Sequence, residues 1–144
     1  MKQIILLFAC LFALQGLAKA DDRAITVDQL PQKAQEFIQK YFPKNEISLA
    51  KMEKDFWEKK YEVVFVNGEK AEFLKDSSWE KVDCKYSTVP TGIVPQAIKD
   101  YVSKHYPEAK ILKIERDSKT YEVKLNNQLE LEFNKAFQLI DIDN

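Results

Sequence analysis

The chain has 144 residues, and its 22 basic and 23 acidic side chains give a formal net charge of −1. The two signs are interspersed, which argues against nucleic acid and anionic membranes as partners. The sequence contains only three glycines, so it has no glycine-rich loop that could cradle a phosphate. This length fits one domain or two small units that share a core.

Residues 1–20 have the pattern of a secretory signal peptide. Lys2 supplies the positive charge, residues 4–14 form an unbroken apolar run, and small residues precede a cleavage site after Ala20. The run is too short to span a bilayer as a helix. The alternative is a lipoprotein signal lipidated at Cys10, but Cys10 lies inside the apolar run and more apolar residues follow it. We expect a periplasmic or secreted protein without membrane insertion after cleavage.

Cys84 is the one cysteine that remains after this cleavage, which excludes a disulfide framework. No motif places a base beside it, so a buried core thiol is favoured over a nucleophile. His105 is the one histidine and has no second His or Cys at a metal-ligand spacing. A partly buried packing role near a helix end is favoured for it. We therefore predict a non-enzymatic protein without cofactor or metal.

Residues 30–47 recur as residues 94–111. The first segment reads LPQKAQEFIQKYFPKNEI and the second reads VPQAIKDYVSKHYPEAKI. The similarity continues through KMEKD and KIERD, two YEV triplets, and AEFLK and LEFNK. The sequence therefore predicts two tandem copies of one unit, at 28–84 and 94–144, joined by a linker at 85–93.

The first unit follows a polar lead-in at 21–27 and begins with a helix. Pro31 suits the first turn of this helix because its missing N–H would have no partner there. Apolar residues recur at three- and four-residue spacing, and Pro43 ends the helix. Strands are predicted at 47–55, 61–66, 70–75 and 79–84, with Asn67-Gly68 as a hairpin turn.

The second unit shows the same order of elements. Its helix ends before Pro107, and its strands are predicted at 111–116, 120–125, 129–134 and 137–142. Short connections make sequential strands neighbours in space. Each unit is thus one helix followed by a four-stranded antiparallel meander, and the fold class is α+β.

These motifs resemble the PepSY-like secreted proteins of Bacteroides-type bacteria, a group similar in fold to β-lactamase inhibitory protein. The resemblance covers about residues 28–143 and rests on the proline-bounded helices, the YEV strands and the EF return strands. It implies two tandem helix-plus-four-strand repeats that form one extended curved sheet with the helices on one face. It also implies a non-enzymatic exported protein, and it supplies no catalytic residues.

Alternation along the strands predicts which side chains face away from the helices. The first unit would place apolar and aromatic side chains on this open face, and the second unit would place acidic and polar ones there. The candidate contact surface consists of Val64, Val66, Leu74 and Trp79, with Phe56 and Trp57 at its rim. The outward position of Trp79 assumes that no bulge interrupts its strand. The alternative is that these side chains pack on one another, on the linker or on the second sheet.

Exposed aromatic side chains favour contact with another protein. We predict a binding module that engages an unidentified partner protein through the open face, with Trp79 and Trp57 as main anchors. The alternative is a structural or self-associating envelope protein in which the same face closes a homodimer. Inhibition of a specific enzyme, such as a β-lactamase or a protease, is a special case of binding that rests on fold analogy alone.

Overall fold

The computed structural model of the chain describes residues 21–144. The predicted signal peptide, its cleavage after Ala20 and the alternative lipidation site Cys10 lie outside the described residues. No helix within 21–144 is long and apolar enough to cross a membrane.

The described residues form one open antiparallel sheet and two α-helices, which confirms the α+β class. The sheet has nine strands, one more than predicted, and their order in space is their order in sequence. The strands are β1 (Asp21–Ile25), β2 (Ile47–Lys54), β3 (Lys59–Phe65), β4 (Lys70–Leu74), β5 (Trp79–Asp83), β6 (Ile111–Arg116), β7 (Thr120–Leu125), β8 (Glu130–Asn134) and β9 (Leu139–Asp143). The helices are α1 (Gln32–Tyr41) and α2 (Gln96–His105), and a short 3₁₀ helix (Val27–Gln29) precedes α1.

Prolines set the bounds of both α-helices. Pro31 and Pro95 occupy the N-cap positions of α1 and α2 with extended backbone angles. Each helix ends one residue before an aromatic C-cap, Phe42 or Tyr106, and a proline follows each of these aromatic residues. The residue before a proline is pushed away from the helical region, so each helix stops after about three turns.

Both helices cover the same face of the sheet. The ring of Phe37 on α1 meets Phe73 edge-on at 5.2 Å between centroids, and Tyr101 on α2 meets Phe133 at 5.4 Å. Phe73 and Phe133 lie on the same face as a row of fully buried side chains, because residues two apart on a strand share a face. That row crosses six strands in register and consists of Val63, Ala71, Val82, Ile114, Val123 and Leu131.

Residues 21–25, predicted as part of a polar lead-in at 21–27, form the edge strand β1. This strand runs antiparallel to β2, with Ile25 opposite Ala50. Only Ile25 packs against the core, so the segment lacks the alternation that marks a half-buried strand. The backbone groups along the outer edge of β2 need partners, and β1 supplies them.

The linker between β5 and α2 is packed against the rest of the protein. Val89 is buried, and its N–H donates to the carbonyl oxygen of Ile111 at 2.8 Å. The hydroxyl of Tyr41 lies 3.5 Å from the carbonyl oxygen of Gly92. A Cβ atom added to Gly92 would lie 2.9 Å from the Tyr41 ring, so only glycine allows this close approach.

Candidate binding site

Trp79 does not lie on the open face, and this part of the prediction is wrong. The β4–β5 register shifts between Glu72 and Phe73, so Phe73 pairs with Trp79 and Glu80 is the extra residue. Side chains on the two sides of such a bulge are out of step by one residue, so Trp79 faces the side opposite to the one that its spacing from Val82 predicts. Trp79 is therefore only 9 % exposed and belongs to the core, where the guanidinium carbon of Arg116 lies 3.8 Å from its ring centroid.

The remaining predicted contact residues do not form one patch. Val66 is 64 % exposed but follows the end of β3, whereas Trp57 precedes its start. The two positions are nine residue steps apart on an extended chain, which corresponds to about 30 Å. Val64 is half-buried between these two ends. The open face therefore lacks the continuous apolar surface predicted for the first unit.

A row of charged side chains crosses the centre of the open face from β2 to β9. Lys81 bridges the middle strands, with its Nζ atom 3.7 Å from Glu72 Oε2 and 3.8 Å from Glu115 Oε1. The charged row, in cross-strand register from β2 to β9, consists of Lys51, Glu62, Glu72, Lys81, Glu115, Glu122, Glu132 and Asp141. Carboxylates outnumber lysines in this row, so several carboxylates lie directly opposite one another.

Glu122 has a carboxylate opposite it on both neighbouring strands. It lies between Glu115 on β6 and Glu132 on β8. Burial raises the pKa of Glu122, and the nearby charges of Glu130 and Glu115 raise it further. Burial also raises the pKa of Glu72, which Lys81 partly offsets. The folded protein thus holds these groups more easily as neutral acids than the unfolded chain does.

We expect Glu122→Gln to stabilise the protein at pH 7 by about 0.5–1 kcal/mol, because like charges directly opposite on neighbouring strands are destabilising. An acid whose folded pKa is raised stabilises the fold below its ordinary pKa of 4.5 and loses that contribution as the pH rises through the folded pKa. The gain should therefore disappear under acidic conditions. Urea denaturation at several pH values measures it.

The control for this variant is Glu108→Gln, because Glu108 is exposed and lies in the turn after α2. It should leave the free energy of unfolding unchanged across the same pH range. A gain in the Glu122 variant that is as large below pH 4.5 as at pH 7 would contradict the assignment to charge repulsion.

The most exposed aromatic pair is at the tip of the β2–β3 hairpin. Phe56 is 83 % exposed, Trp57 is 91 % exposed, and their ring centroids are 6.5 Å apart. Asp55 organises this turn, because its Oδ1 atom accepts the N–H groups of Trp57 at 3.0 Å and Glu58 at 2.9 Å. These hydrogen bonds lower the pKa of Asp55. The turn thus holds two apolar rings in water with a fixed backbone.

Leu74 lies next to this aromatic tip. Trp57 and Leu74 line an open groove of about 490 Å³ together with Glu58, Lys59, Lys75 and Asp76. The structure therefore brings together three of the six predicted contact residues, Phe56, Trp57 and Leu74. The charged side chains around them were not predicted from the sequence. Their position could have been predicted from the strand order, because antiparallel neighbours bring the turns at 55–58 and 75–78 to the same end of the sheet.

The β6–β7 hairpin has the same turn with different side chains. Asp117 Oδ1 accepts the N–H groups of Lys119 at 2.7 Å and Thr120 at 2.8 Å, as Asp55 does in the first hairpin. Ser118 and Lys119 stand where the aromatic tip carries Phe56 and Trp57. This turn presents polar side chains on an equivalent backbone, so it is a natural control for the aromatic tip.

The two hairpins also differ in length. Tyr61 pairs with Met52, and two further residue pairs follow before the aromatic turn, whereas the equivalent Tyr121 pairs with Arg116 directly beside its turn. Two residue pairs extend a hairpin by about 7 Å. The aromatic tip therefore protrudes beyond its polar counterpart.

His105 and Cys84 take no part in this site. His105 is exposed, not partly buried as predicted, and its ring centroid lies 4.2 Å from that of Tyr101. Cys84 is buried as predicted, and burial together with the nearby Glu69 raises its pKa to about 12. The thiol is therefore protonated at neutral pH. Within residues 21–144, no three His, Cys, Asp or Glu side chains are grouped so that they could hold a metal ion.

The fold defines a class of protein, the α+β proteins built on one open antiparallel sheet with helices on one face. Residues 59–141, more than half of the chain, match the family model of beta-lactamase-inhibitor-like, PepSY-like proteins. The chain belongs to this PepSY-like family, which confirms the resemblance inferred from the sequence. No curated protein matches the chain.

Solved structures of periplasmic proteins from Bacteroides are similar over most of the chain. One protein from Bacteroides vulgatus shares 56 % identity over 86 % of this chain and 98 % of its own, with a TM-score of 0.84. A protein from Bacteroides thetaiotaomicron, described as calcium-regulated, shares 57 % identity with the same coverages and TM-score. A second Bacteroides vulgatus protein, of unknown function, shares 34 % identity over 86 % of this chain and 100 % of its own, with a TM-score of 0.82.

Proposed function

We propose that this protein is an exported, non-enzymatic binding protein that inserts its aromatic tip, Phe56 and Trp57, into a pocket of a partner protein. The observation that carries the proposal is the exposure of these two rings, 83 % and 91 %, on a turn already fixed by Asp55. Aromatic side chains that bury fully in a partner dominate the energy of many interfaces. A preformed turn loses little conformational entropy on binding.

The groove beside the tip suits the rim of such an interface. Leu74 extends the apolar contact, and Lys59, Lys75, Glu58 and Asp76 surround it with charges of both signs. Burial of a large apolar side chain contributes about 1.5–3 kcal/mol, and the charged rim sets orientation and rate of association more than affinity. The mechanism is binding without bond chemistry. The periplasmic relatives support an encounter with the partner in the envelope, after cleavage of the signal peptide.

We infer further that units 28–84 and 94–144 are tandem copies of which only the first carries the binding tip. Their strand registers support this: β3–β4 pairs Tyr61 with Phe73, and β7–β8 pairs Tyr121 with Phe133. The protruding aromatic turn of the first copy then marks where the copies differ in function. The beta-lactamase-inhibitor-like description of the family supports enzyme inhibition as one form that this binding takes.

The test is a capture experiment with the mature protein and its Phe56→Ser/Trp57→Lys variant, which carries the side chains of the polar turn. Both are crosslinked to proteins of the envelope fraction, and captured proteins are identified by mass spectrometry. The purified candidate should then bind the variant at least about tenfold more weakly, which corresponds to about 1.4 kcal/mol. The variant should keep the thermal stability of the wild type because neither ring contacts the core.

The matched control is Ser118→Ala/Lys119→Ala in the second hairpin, which should bind like the wild type. Equal binding by the tip variant would overturn the proposal. Light scattering of the mature protein tests the self-associating alternative, because a dimer that dissociates in the tip variant would assign the tip to a homodimer.

A further inference from the structure

The outer edge of β9 is an unfilled position in the sheet. β9 is the last strand in the spatial order, and no strand within the described part of the chain pairs with its outer side. An edge strand presents a row of unpaired N–H and C=O groups that can pair with an extended segment. Ile140 and Ile142 are exposed on this strand, so the edge combines free backbone groups with apolar side chains.

Strand β5 shows how such an edge is covered. It pairs with β4 in the same register, including the bulge, that β9 has with β8: Ala71 opposes Val82, and Leu131 opposes Ile142. The outer side of β5 is occupied by β6, with Ile114 opposite Val82. Val82 is fully buried, whereas Ile142 at the equivalent position is 47 % exposed. One further strand beside β9, with an apolar residue opposite Ile142, would therefore bury Ile142 as β6 buries Val82.

The backbone direction follows from the same comparison. The N–H group of Cys84 donates to the carbonyl oxygen of Leu112 on β6 at 2.9 Å. Residues two apart on a strand direct their backbone groups to the same side, so Val82 also faces β6. The equivalent Ile142 then directs its N–H and C=O groups to the free edge, while those of Asp141 and Asp143 face β8.

The charges beside Ile142 select the incoming segment. Asp143 on β9 is equivalent to Asp83 on β5, and Asp83 lies opposite Lys113 on β6, so a cation fits opposite Asp143. Asp141 is equivalent to Lys81, which lies opposite Glu115 on β6. Because Asp141 carries the opposite charge to Lys81, a cation also fits opposite Asp141.

We propose that the free edge of β9 accepts an extended segment of a partner protein with the pattern Lys/Arg, apolar residue, Lys/Arg. The segment runs antiparallel to β9 and adds a tenth strand to the sheet, as in other complexes formed by strand addition. Its apolar residue covers Ile142, and its two cations lie opposite Asp143 and Asp141. Glu130 and Glu132 on β8 are the cross-strand neighbours of these two aspartates and increase the attraction for cations.

A second copy of the chain does not fit this edge. Two β9 strands paired antiparallel about Ile142 would place Asp141 opposite Asp143 twice, and like charges directly opposite are destabilising. None of the described strands carries two cations that flank a single apolar residue. The occupant is therefore a basic segment of another protein.

This surface is distinct from the aromatic tip. Six strand spacings lie between β3 and β9, which corresponds to about 29 Å at about 4.8 Å per spacing. The two proposals can therefore succeed or fail independently, and the tip variant Phe56→Ser/Trp57→Lys should bind the basic segment like the wild type.

The test uses the mature protein and a fluorescein-labelled peptide, Gly-Ser-Thr-Lys-Ile-Lys-Thr-Ser-Gly. Fluorescence anisotropy should show saturable binding, and hydrogen exchange at the Ile142 amide should slow at least about tenfold at saturation, because this amide becomes paired. A peptide with both lysines replaced by glutamate should bind at least about tenfold more weakly. N-methylation of the isoleucine should abolish binding, whereas N-methylation of the first lysine, whose N–H points away from β9, should retain it.

The protein variants complete the test. Asp141→Lys/Asp143→Lys should lose at least about tenfold in affinity for the basic peptide and should gain affinity for the glutamate peptide. The control Glu36→Lys/Glu108→Lys makes the same change of net charge at exposed sites outside the sheet and should bind like the wild type. Absence of binding at millimolar peptide, equal binding of the basic and acidic peptides, or tolerance of the N-methylated isoleucine would each overturn the proposal.

Discussion

Replacement of Phe73 by alanine is expected to lower the free energy of unfolding by about 4 kcal/mol, the cost of deleting a fully buried aromatic ring and leaving a cavity. Phe73 has no exposed surface. It lies between Tyr61 and Trp79 in cross-strand register and receives the edge of the Phe37 ring from α1. Its removal opens the contact between the first helix and the sheet. Small domains are stable by about 5–15 kcal/mol, so the variant should retain only part of its stability.

Two variants give this prediction its controls. Phe133→Ala removes the equivalent ring under α2, which is also fully buried and meets Tyr101 edge-on, and it should cost a similar amount. Phe56→Ala removes an exposed ring and should change stability by less than about 0.5 kcal/mol. Urea denaturation followed by circular dichroism measures all three. A cost below about 2 kcal/mol for Phe73→Ala would contradict full burial of the Phe73 ring, because buried Phe to Ala changes exceed that value.

Local signals in the sequence were sufficient for most of the fold. Prolines fix both ends of each helix through backbone sterics, and Asn67-Gly68 predicts a hairpin turn because its second residue needs the positive φ that Gly68 adopts. β1 was not predictable in this way, since Asp21–Ile25 has neither alternation nor β-branched density. It becomes a strand only because the edge of β2 is available, and that is a property of the tertiary structure.

The candidate site was predictable only where it did not depend on strand register. Phe56 and Trp57 occupy a turn, so their exposure follows from the position of the turn alone. Trp79 lies next to the bulged residue Glu80, and this shift of one residue places it in the core instead of on the open face. Unbroken alternation would turn Glu80 or Lys81 inward. Trp79 and Val82 are three residues apart, so both can be buried only through a bulge. The exposure of Ile142 was also not predicted, because the residues around it have the pattern of an ordinary buried strand position.

Arg116→Ala is expected to lower the free energy of unfolding by about 2 kcal/mol and to loosen the junction between the two halves of the sheet. Only three residue pairs are in register between β5 and β6, the fewest between any neighbouring strands of the described sheet. Beyond Glu115 the backbones of β5 and β6 are not paired, and the side chain of Arg116 makes the contact between the two strands there. Its Nε atom donates to the carbonyl oxygen of Trp79 at 2.8 Å, and its guanidinium lies over the Trp79 ring.

The expected size combines two interactions. A hydrogen bond from a charged donor contributes about 1.5 kcal/mol at the lower end of its range, and a cation–π contact contributes about 0.5–1 kcal/mol at a partly exposed site. Arg116→Lys should recover little of the loss, because lysine has neither the planar group that stacks nor an Nε donor at that position. Trp79→Leu keeps the carbonyl acceptor and removes the ring, so a double-mutant cycle with Arg116→Ala separates the two interactions.

Trp79 itself can report on the junction. The chain has two tryptophans, so in a Trp57→Phe background all tryptophan fluorescence comes from Trp79. In the Arg116→Ala variant, acrylamide should quench this fluorescence more strongly before global unfolding begins, because the end of the junction opens locally. Unchanged quenching together with a stability loss below about 0.5 kcal/mol would mean that the three register pairs hold the halves together without Arg116. Increased quenching would show that this arginine helps the short β5–β6 pairing to join strands β1–β5 and β6–β9 into a single sheet.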